Sequence, residues 1–172
     1  TNNKDLYNKL LQLRDYGRRE RPKKWPVKSY MVGYNSKMST INAAVLNIRL
    51  KKLNEYIDLR NRNAEIYKEI LFSKKIKFQH TLQEAKSAWR NFTIRVKNRD
   101  KIFDKLNSIN PLVKLSYIPP NHMDKCYKNI KNNYDLRITE KTSSEIINLP
   151  CHQYMTPNNI KDLSRNVLRL IK

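Results

Sequence analysis

Val32-Gly33-Tyr34-Asn35-Ser36-Lys37-Met38-Ser39-Thr40-Ile41-Asn42-Ala43-Ala44-Val45-Leu46 runs from a backbone bend, through a short polar stretch, into a long amphipathic helix. The bend falls at Gly33, one of only two glycines in the chain. Ser39 or Thr40 is placed to cap the helix that follows. This order gathers an amide side chain at Asn35, a cation at Lys37 and the unpaired N–H groups of a helix start. Such a combination suits a phosphate or another anion. Asn35 has a plainer use as well, because asparagine turns a loop ahead of a helix. Lys37 could equally be a solvated lysine.

Toward the N-terminus, Leu6, Leu10, Leu11 and Leu13 recur at helical spacing, which predicts a helix over residues 5–16 that Gly17 ends as a C′ glycine. Residues 18–32 are basic, hold Pro22 and Pro26 and lack a period, so they read as a loop carrying Trp25 and Tyr30. Its run over residues 18–24 is either a contact for a nucleotide diphosphate or a plain basic loop.

Toward the C-terminus, the helix is expected to continue from Ser39 or Thr40 to about Phe72. Leu46, Leu50, Leu53, Ile57, Ala64, Tyr67 and Leu71 follow fours and threes, interrupted at Arg60. Ile41, Ala44, Val45 and Ile48 widen the stripe, so this helix links two packed layers or forms a subunit contact. Alternation then predicts a strand over residues 88–96, a helix over 98–108 and a strand over 113–117 stopped by Pro119-Pro120. A loop over 120–138 holds a short helix near 123–129. A helix over 139–146 and a strand over 147–149 come next. The last helix is capped by Thr156, with Pro157 at its first position. The order β-α-β-α-β-α predicts an α+β unit with a small antiparallel or mixed sheet covered by helices.

At 172 residues the chain can bury one core of its own. Its 36 Lys and Arg against 15 Asp and Glu give a net charge of +21, which raises nucleic acid or an anionic membrane as partners. The cations are spread along the chain, and lysine keeps company with asparagine and isoleucine, so much of the charge reads as a solvated surface with compositional bias. A basic nucleic-acid-binding module is the rival reading. No known nucleic-acid motif supports it, and the aromatics do not interleave with the cations as a stacking platform would. No apolar run approaches the roughly 20 residues of a membrane helix, and no charged start followed by an apolar stretch marks a signal peptide. A cytoplasmic chain with no membrane partner is expected. Cys126 and Cys151 read as two free thiols. His80, His122 and His152 lack metal-ligand spacing, so no metal is expected. No Ser–His–Asp set, P-loop or dinucleotide-binding glycine motif occurs. The chain opens on Thr1 with no obvious cap ahead of its first helix, as if cut from something larger.

Five stretches become familiar when read in order. Leu13-Arg14-Asp15-Tyr16-Gly17-Arg18 comes first, then the Gly33-to-Ala44 segment. Trp89-Arg90-Asn91-Phe92-Thr93-Ile94-Arg95-Val96 follows, then Tyr117-Ile118-Pro119-Pro120-Asn121-His122, and last Asn148-Leu149-Pro150-Cys151-His152. Together they resemble the DegT/DnrJ/StrS family of pyridoxal 5′-phosphate (PLP)-dependent sugar aminotransferases, over nearly the whole chain.

The resemblance implies a fold-type I transaminase working as a homodimer. Such an enzyme transfers an amino group, usually from glutamate, to a nucleotide-linked keto sugar in amino-sugar and polysaccharide biosynthesis. It implies that Asn35 reaches the cofactor phosphate of the neighbouring subunit. Tyr34, Lys37, Tyr117 and His122 fall on the substrate side. Lys37 stands where the family commonly has arginine, Asn42 where glutamine is usual, and Ser116 where a histidine precedes the tyrosine. The family's Schiff-base lysine, the aspartate at the pyridine nitrogen and the aromatic stacked on the ring all lie upstream of such a segment. No catalytic residue is therefore expected here. Two glycines are also too few for a domain built on tight βα turns and a close approach to phosphate.

The chain accordingly reads as a C-terminal portion, incomplete and inactive alone. Residues 1–38 would be the tail of the large domain with the substrate and cofactor loop, 39–72 an interdomain helix and 73–172 a small α+β domain. A split or degenerate dimerisation partner is the further alternative.

Overall fold

Asn3 starts the first helix: its side-chain oxygen accepts the Leu6 N–H at 2.9 Å, and α1 spans Lys4–Leu13. The computed structural model describes residues 1–19, 28–127 and 135–171. They fall into two compact units, Thr1–Lys51 and Lys52–Lys172.

In the first unit α1 stops three residues short of the expected end, because Tyr16 and Gly17 turn left-handed with φ of 53° and 75°. The Gly17 N–H reaches back to the Gln12 carbonyl at 2.9 Å. Residues 30–36 then run back along residues 13–17. Tyr34 N–H donates to the Leu13 carbonyl (2.6 Å), Tyr16 N–H to the Tyr34 carbonyl (3.0 Å) and Ser36 N–H to the Arg14 carbonyl (3.0 Å). The two glycines make this crossing possible. A Cβ on Gly33 would stand 2.2 Å from the Gly17 nitrogen, and one on Gly17 would stand 1.7 Å from the Met31 carbonyl oxygen. α2 (Thr40–Leu50) begins at Ser39, whose hydroxyl accepts the Asn42 N–H at 3.2 Å. Among the described residues α1 and α2 bury none of their side chains, and Ile41 is 78% exposed.

The single helix expected over 39–72 is two helices. α2 ends at Leu50, Lys52 takes φ −103° and ψ 4°, and α3 spans Leu53–Leu71. Leu46, Leu50 and Leu53 keep helical spacing across the break, but the two halves fall in different compact units. α3 buries Asn63, Ala64, Tyr67 and Leu71, whereas α2 buries nothing here, and packing rather than spacing holds a helix straight.

The second unit continues with β1 (Lys77–Phe78), β2 (Asn91–Arg95), α4 (Arg99–Ile109), two single-turn 3₁₀ helices (Asn121–Met123 and Lys125–Tyr127), α5 (Arg137–Glu145), β3 (Ile146–Pro150) and α6 (Pro157–Ile171). The sheet is antiparallel in the order β1-β2-β3, with Phe92 opposite Leu149 and Ile94 opposite Ile147. These four side chains are fully buried, and α6 packs with α3 and α4 over the same core. This is the α+β arrangement expected. Thr156 caps α6 reciprocally: its hydroxyl accepts the Asn159 N–H at 3.2 Å, and its own N–H donates to Asn159 Oδ1 at 3.1 Å.

Two strands differ from expectation. The strand over 88–96 starts only at Asn91, because Trp89 has a φ of 38°. Residues 113–117 pair with the sheet at one rung, Lys114 with Asn148, at 3.0 and 2.9 Å. Val113 is buried as its alternation implies, but Tyr117 turns to a φ of 59° and ends the run.

The interruption at Arg60 is explained by a row of polar ties on α3. Arg60 Nε and Nη2 donate to Gln153 Oε1 (3.1 and 2.9 Å). Asn61 donates to the Ser87 carbonyl (2.9 Å) and accepts the Trp89 indole N–H (3.0 Å). Asn63 donates to the His152 carbonyl at 2.9 Å, which gives the His152 segment a structural use. Cys151 and Cys126 are both free; burial pushes the Cys151 thiol up to about 11.

Candidate functional site

The crossing in the first unit carries Tyr34, Asn35 and Lys37 on one short strip. Asn35 faces Asp15 in an isolated antiparallel bridge. Its position is thus fixed by backbone hydrogen bonds, while its exposed carboxamide makes no hydrogen bond among the described residues. Lys37 Nζ lies 2.9 Å from Asp15 Oδ1, and Arg18 Nη1 stands 4.0 Å from the same oxygen. The Tyr34 backbone is used in the crossing, and the residue is 67% exposed.

Asp15 is the residue that sequence reasoning passed over. It stood in the Leu-Arg-Asp-Tyr-Gly stretch as a lone acid among cations, and that isolation was the available signal. Its side chain is only 16% exposed. The hydrogen-bonded Lys37 ammonium holds its carboxyl below the ordinary value of 3.8 against the cost of burial, with Arg18 and Arg14 adding to the effect. A carboxyl lowered by folding stabilises the fold fully above its unfolded value. That contribution is lost as the pH falls through the lower, folded value. Acid titration followed by circular dichroism should therefore show part of the acid limb arising from this pair. Asp15→Asn should flatten that part and leave the neutral-pH signal of the second unit unchanged.

In the second unit the sheet face opposite the core is polar. Thr93 Oγ donates to Asn148 Oδ1 at 2.7 Å, and Asn148 Nδ2 donates to Ser116 Oγ at 2.7 Å. With Asn91, Arg90 and Tyr117 they border a cavity of about 580 Å³. A neighbouring cavity of about 600 Å³ lies between Tyr117, His122 and α5. Tyr117 thus borders both cavities. This residue is 76% exposed, and its carbonyl accepts the Ser143 hydroxyl at 2.9 Å. His122 Nε2 sits 3.1 Å from Glu140 Oε1. Thr93 and Asn148 were not singled out from sequence, and Ser116 only as a departure from the family's histidine. The clue was their phase, since Thr93 alternates with the buried Phe92 and Ile94.

The structure therefore brings Tyr34, Asn35 and Lys37 together in one unit, and Tyr117 with His122 in the other. Trp25 and the residues 20–24 of the basic loop lie outside the described residues. At the base of that loop the Arg18 and Arg19 guanidinium groups lie over the Tyr16 and Tyr30 rings, at 4.9 and 4.4 Å. Among the described residues no three His, Cys, Asp or Glu side chains gather as a metal site. No helix there is long and apolar enough to cross a membrane.

Comparison with known proteins gives a consistent set of similarities. The family model described as the DegT/DnrJ/EryC1/StrS aminotransferase family matches residues 1–168. The chain is 26% identical over 169 residues to dTDP-3-amino-3,6-dideoxy-alpha-D-galactopyranose transaminase of Aneurinibacillus thermoaerophilus, covering 98% of this chain and 45% of that protein. It is 25% identical over 161 residues to UDP-2-acetamido-2-deoxy-3-oxo-D-glucuronate aminotransferase of Pseudomonas aeruginosa, covering 94% and 43%. Among solved structures, a DegT DnrJ EryC1 StrS aminotransferase from Brucella abortus superposes with a TM-score of 0.87 at 26% identity, over 99% of this chain and 45% of that one. NtdA from Bacillus subtilis, with bound cofactor PMP, shares the fold at a TM-score of 0.83 and 24% identity, over 99% and 40%. The chain spans less than half the length of these curated relatives.

Proposed function

Because the chain belongs to the DegT/DnrJ/EryC1/StrS aminotransferase family, we propose that it is the C-terminal portion of a PLP-dependent nucleotide-sugar aminotransferase. The whole enzyme moves an amino group from glutamate to a nucleotide-linked keto sugar in the cytoplasm. In this reading residues 1–38 end the large domain and carry the cofactor loop, residues 39–72 connect, and residues 73–172 form the small domain. The observation that carries the reading is the exposed Asn35 carboxamide, which makes no hydrogen bond among the described residues and sits on the glycine crossing beside the Lys37–Asp15 pair.

That arrangement fits a phosphate. An amide donates to a phosphate oxygen without adding charge, and a lysine supplies a point charge beside it. When bound, the cofactor supplies the electron sink at the carbon that bears the transferred nitrogen. This chain's residues bind and orient. Asn35 donates to the phosphate held by the neighbouring subunit of a homodimer, and Asp15 restrains the Lys37 ammonium. Lys37 and Tyr34 meet an anionic or hydroxyl group of the substrate. Tyr117 and His122 line its sugar side, with Glu140 orienting the imidazole. The exposed apolar side chains of α2, among them Ile41, Ile48 and Leu50, support the two-fold contact.

The test has two arms. The 172-residue chain mixed with PLP, glutamate and a nucleotide keto sugar should give no amino sugar, and turnover would sink the claim of incompleteness. In the enzyme that joins this chain to its PLP-lysine domain, Asn35→Ala should weaken PLP binding about tenfold, the loss of one charge-assisted hydrogen bond. Unchanged PLP affinity would remove Asn35 from the cofactor.

A further inference from the structure

The lysines that look evenly spread along the sequence converge in space at one place in the second unit. A cavity of about 670 Å³ lies between the β1 approach, the β2–α4 turn and α5, and it shares no lining residue with the cavities at Tyr117. Lys74, Lys75 and Lys77 enter from one side, and Lys97, Lys101 and Lys105 from the other. Arg95 and Lys141 also line it, and among the described residues the sole carboxylate lining it is Glu145.

That carboxylate is already spent. Arg95 Nη2 and Nε hold Glu145 Oε2 at 2.7 and 3.1 Å, and Arg95 foremost, then Lys141 and Lys77, hold its carboxyl below the ordinary range. Lys74, Lys77, Lys97, Lys101, Lys105 and Lys141 make no ion pair among the described residues. Lysines drawn into one concave wall repel each other, and a cleft of one sign focuses its field on a counter-ion.

We propose that this cleft binds a compact polyphosphate, a group of two or three linked phosphates. Three features choose that ligand. The cavity is of small-ligand size. Its cations are nearly all lysines, which meet phosphate as point charges rather than gripping planar carboxylates as a fork. Among the described residues its lining has no aromatic ring on which a nucleic-acid base could stack.

Calorimetric titration of the full chain with sodium tripolyphosphate tests this. Binding should weaken steeply with added salt. Lys97→Gln/Lys101→Gln/Lys105→Gln should weaken it at least about tenfold through lost charge-assisted contacts. Lys4→Gln/Lys9→Gln/Lys51→Gln removes the same charge elsewhere and should change it less than about twofold. Tripolyphosphate should raise the melting temperature of the parent and of the control triple variant, but not that of the cleft variant. The ligand-free cleft variant should melt no lower than the parent, since it loses only repulsion. Absence of binding, equal loss in both triple variants, or tighter cleft-dependent binding to duplex DNA or to phosphatidylserine vesicles would each overturn the proposal.

Discussion

Gly33→Ala should open the backbone crossing of the first unit. Hydrogen exchange at the Tyr16, Tyr34 and Ser36 amides should rise toward unprotected rates, while the second unit keeps its protection. The new methyl group would meet the Gly17 nitrogen at 2.2 Å and the Tyr16 carbonyl carbon at 2.7 Å. Both obstacles are backbone, so no side chain can rotate away. Overpacking typically costs about 1–3 kcal/mol where neighbours can yield; here the cost lies at or above the top of that range. Gly17→Ala should be worse, since its Cβ meets the Met31 carbonyl and a left-handed residue with a side chain adds about 1–2 kcal/mol. The first unit has little to set against this, because its helices bury no side chain among the described residues. In the joined enzyme either variant should also weaken PLP as much as Asn35→Ala does. Retained amide protection at Tyr34 would show that the crossing does not need its glycines.

Phe92→Ala should be the most damaging change in the second unit. Phe92 is fully buried as the second residue of β2. Its ring stacks on Tyr67 at 4.9 Å and 17°, and it touches Trp89 and Phe78 at 5.5 and 5.6 Å. Truncating such a residue costs about 3–5 kcal/mol in transfer and cavity terms, against a total stability of about 5–15 kcal/mol for a domain. Denaturant unfolding should show a midpoint far below the parent's, or a chain with no cooperative transition. A loss under about 1 kcal/mol would mean that the aromatic cluster is not the keystone of this core.

The parts of the fold that sequence made legible were those set by local chemistry. Ser39 and Thr156 cap helices because their hydroxyls accept the N–H three residues on, and Pro157 opens α6 because it lacks a donor that the helix would leave unpaired. What sequence hid was set by distance along the chain. The helix break at Lys51 and Lys52 falls where one compact unit gives way to the other, and only α3 buries side chains in a core; periodicity says nothing of that. β1 is two residues long, too short for any period to register. At the candidate site, Asn35 and Lys37 could be picked out by residue type and position. Asp15 could not, because its role depends on meeting a partner 22 residues later. The lysine cleft is the same case: seven lysines from three separate stretches, 74–77, 97–105 and 141, converge only once β1, α4, α5 and the turn between β2 and α4 are in place.

The single rung between Lys114 and Asn148 has a consequence for colloidal behaviour. β3 lies at the margin of the sheet, and its apolar Ile-Ile-Asn-Leu run is the kind of ribbon onto which a stranger's strand can add. Lys114 occupies the middle of that ribbon's outer side and plants a charge there, and Pro150 removes the last donor. One lysine and one proline thus blunt a fibril template, leaving the edge too short for another chain to zip along.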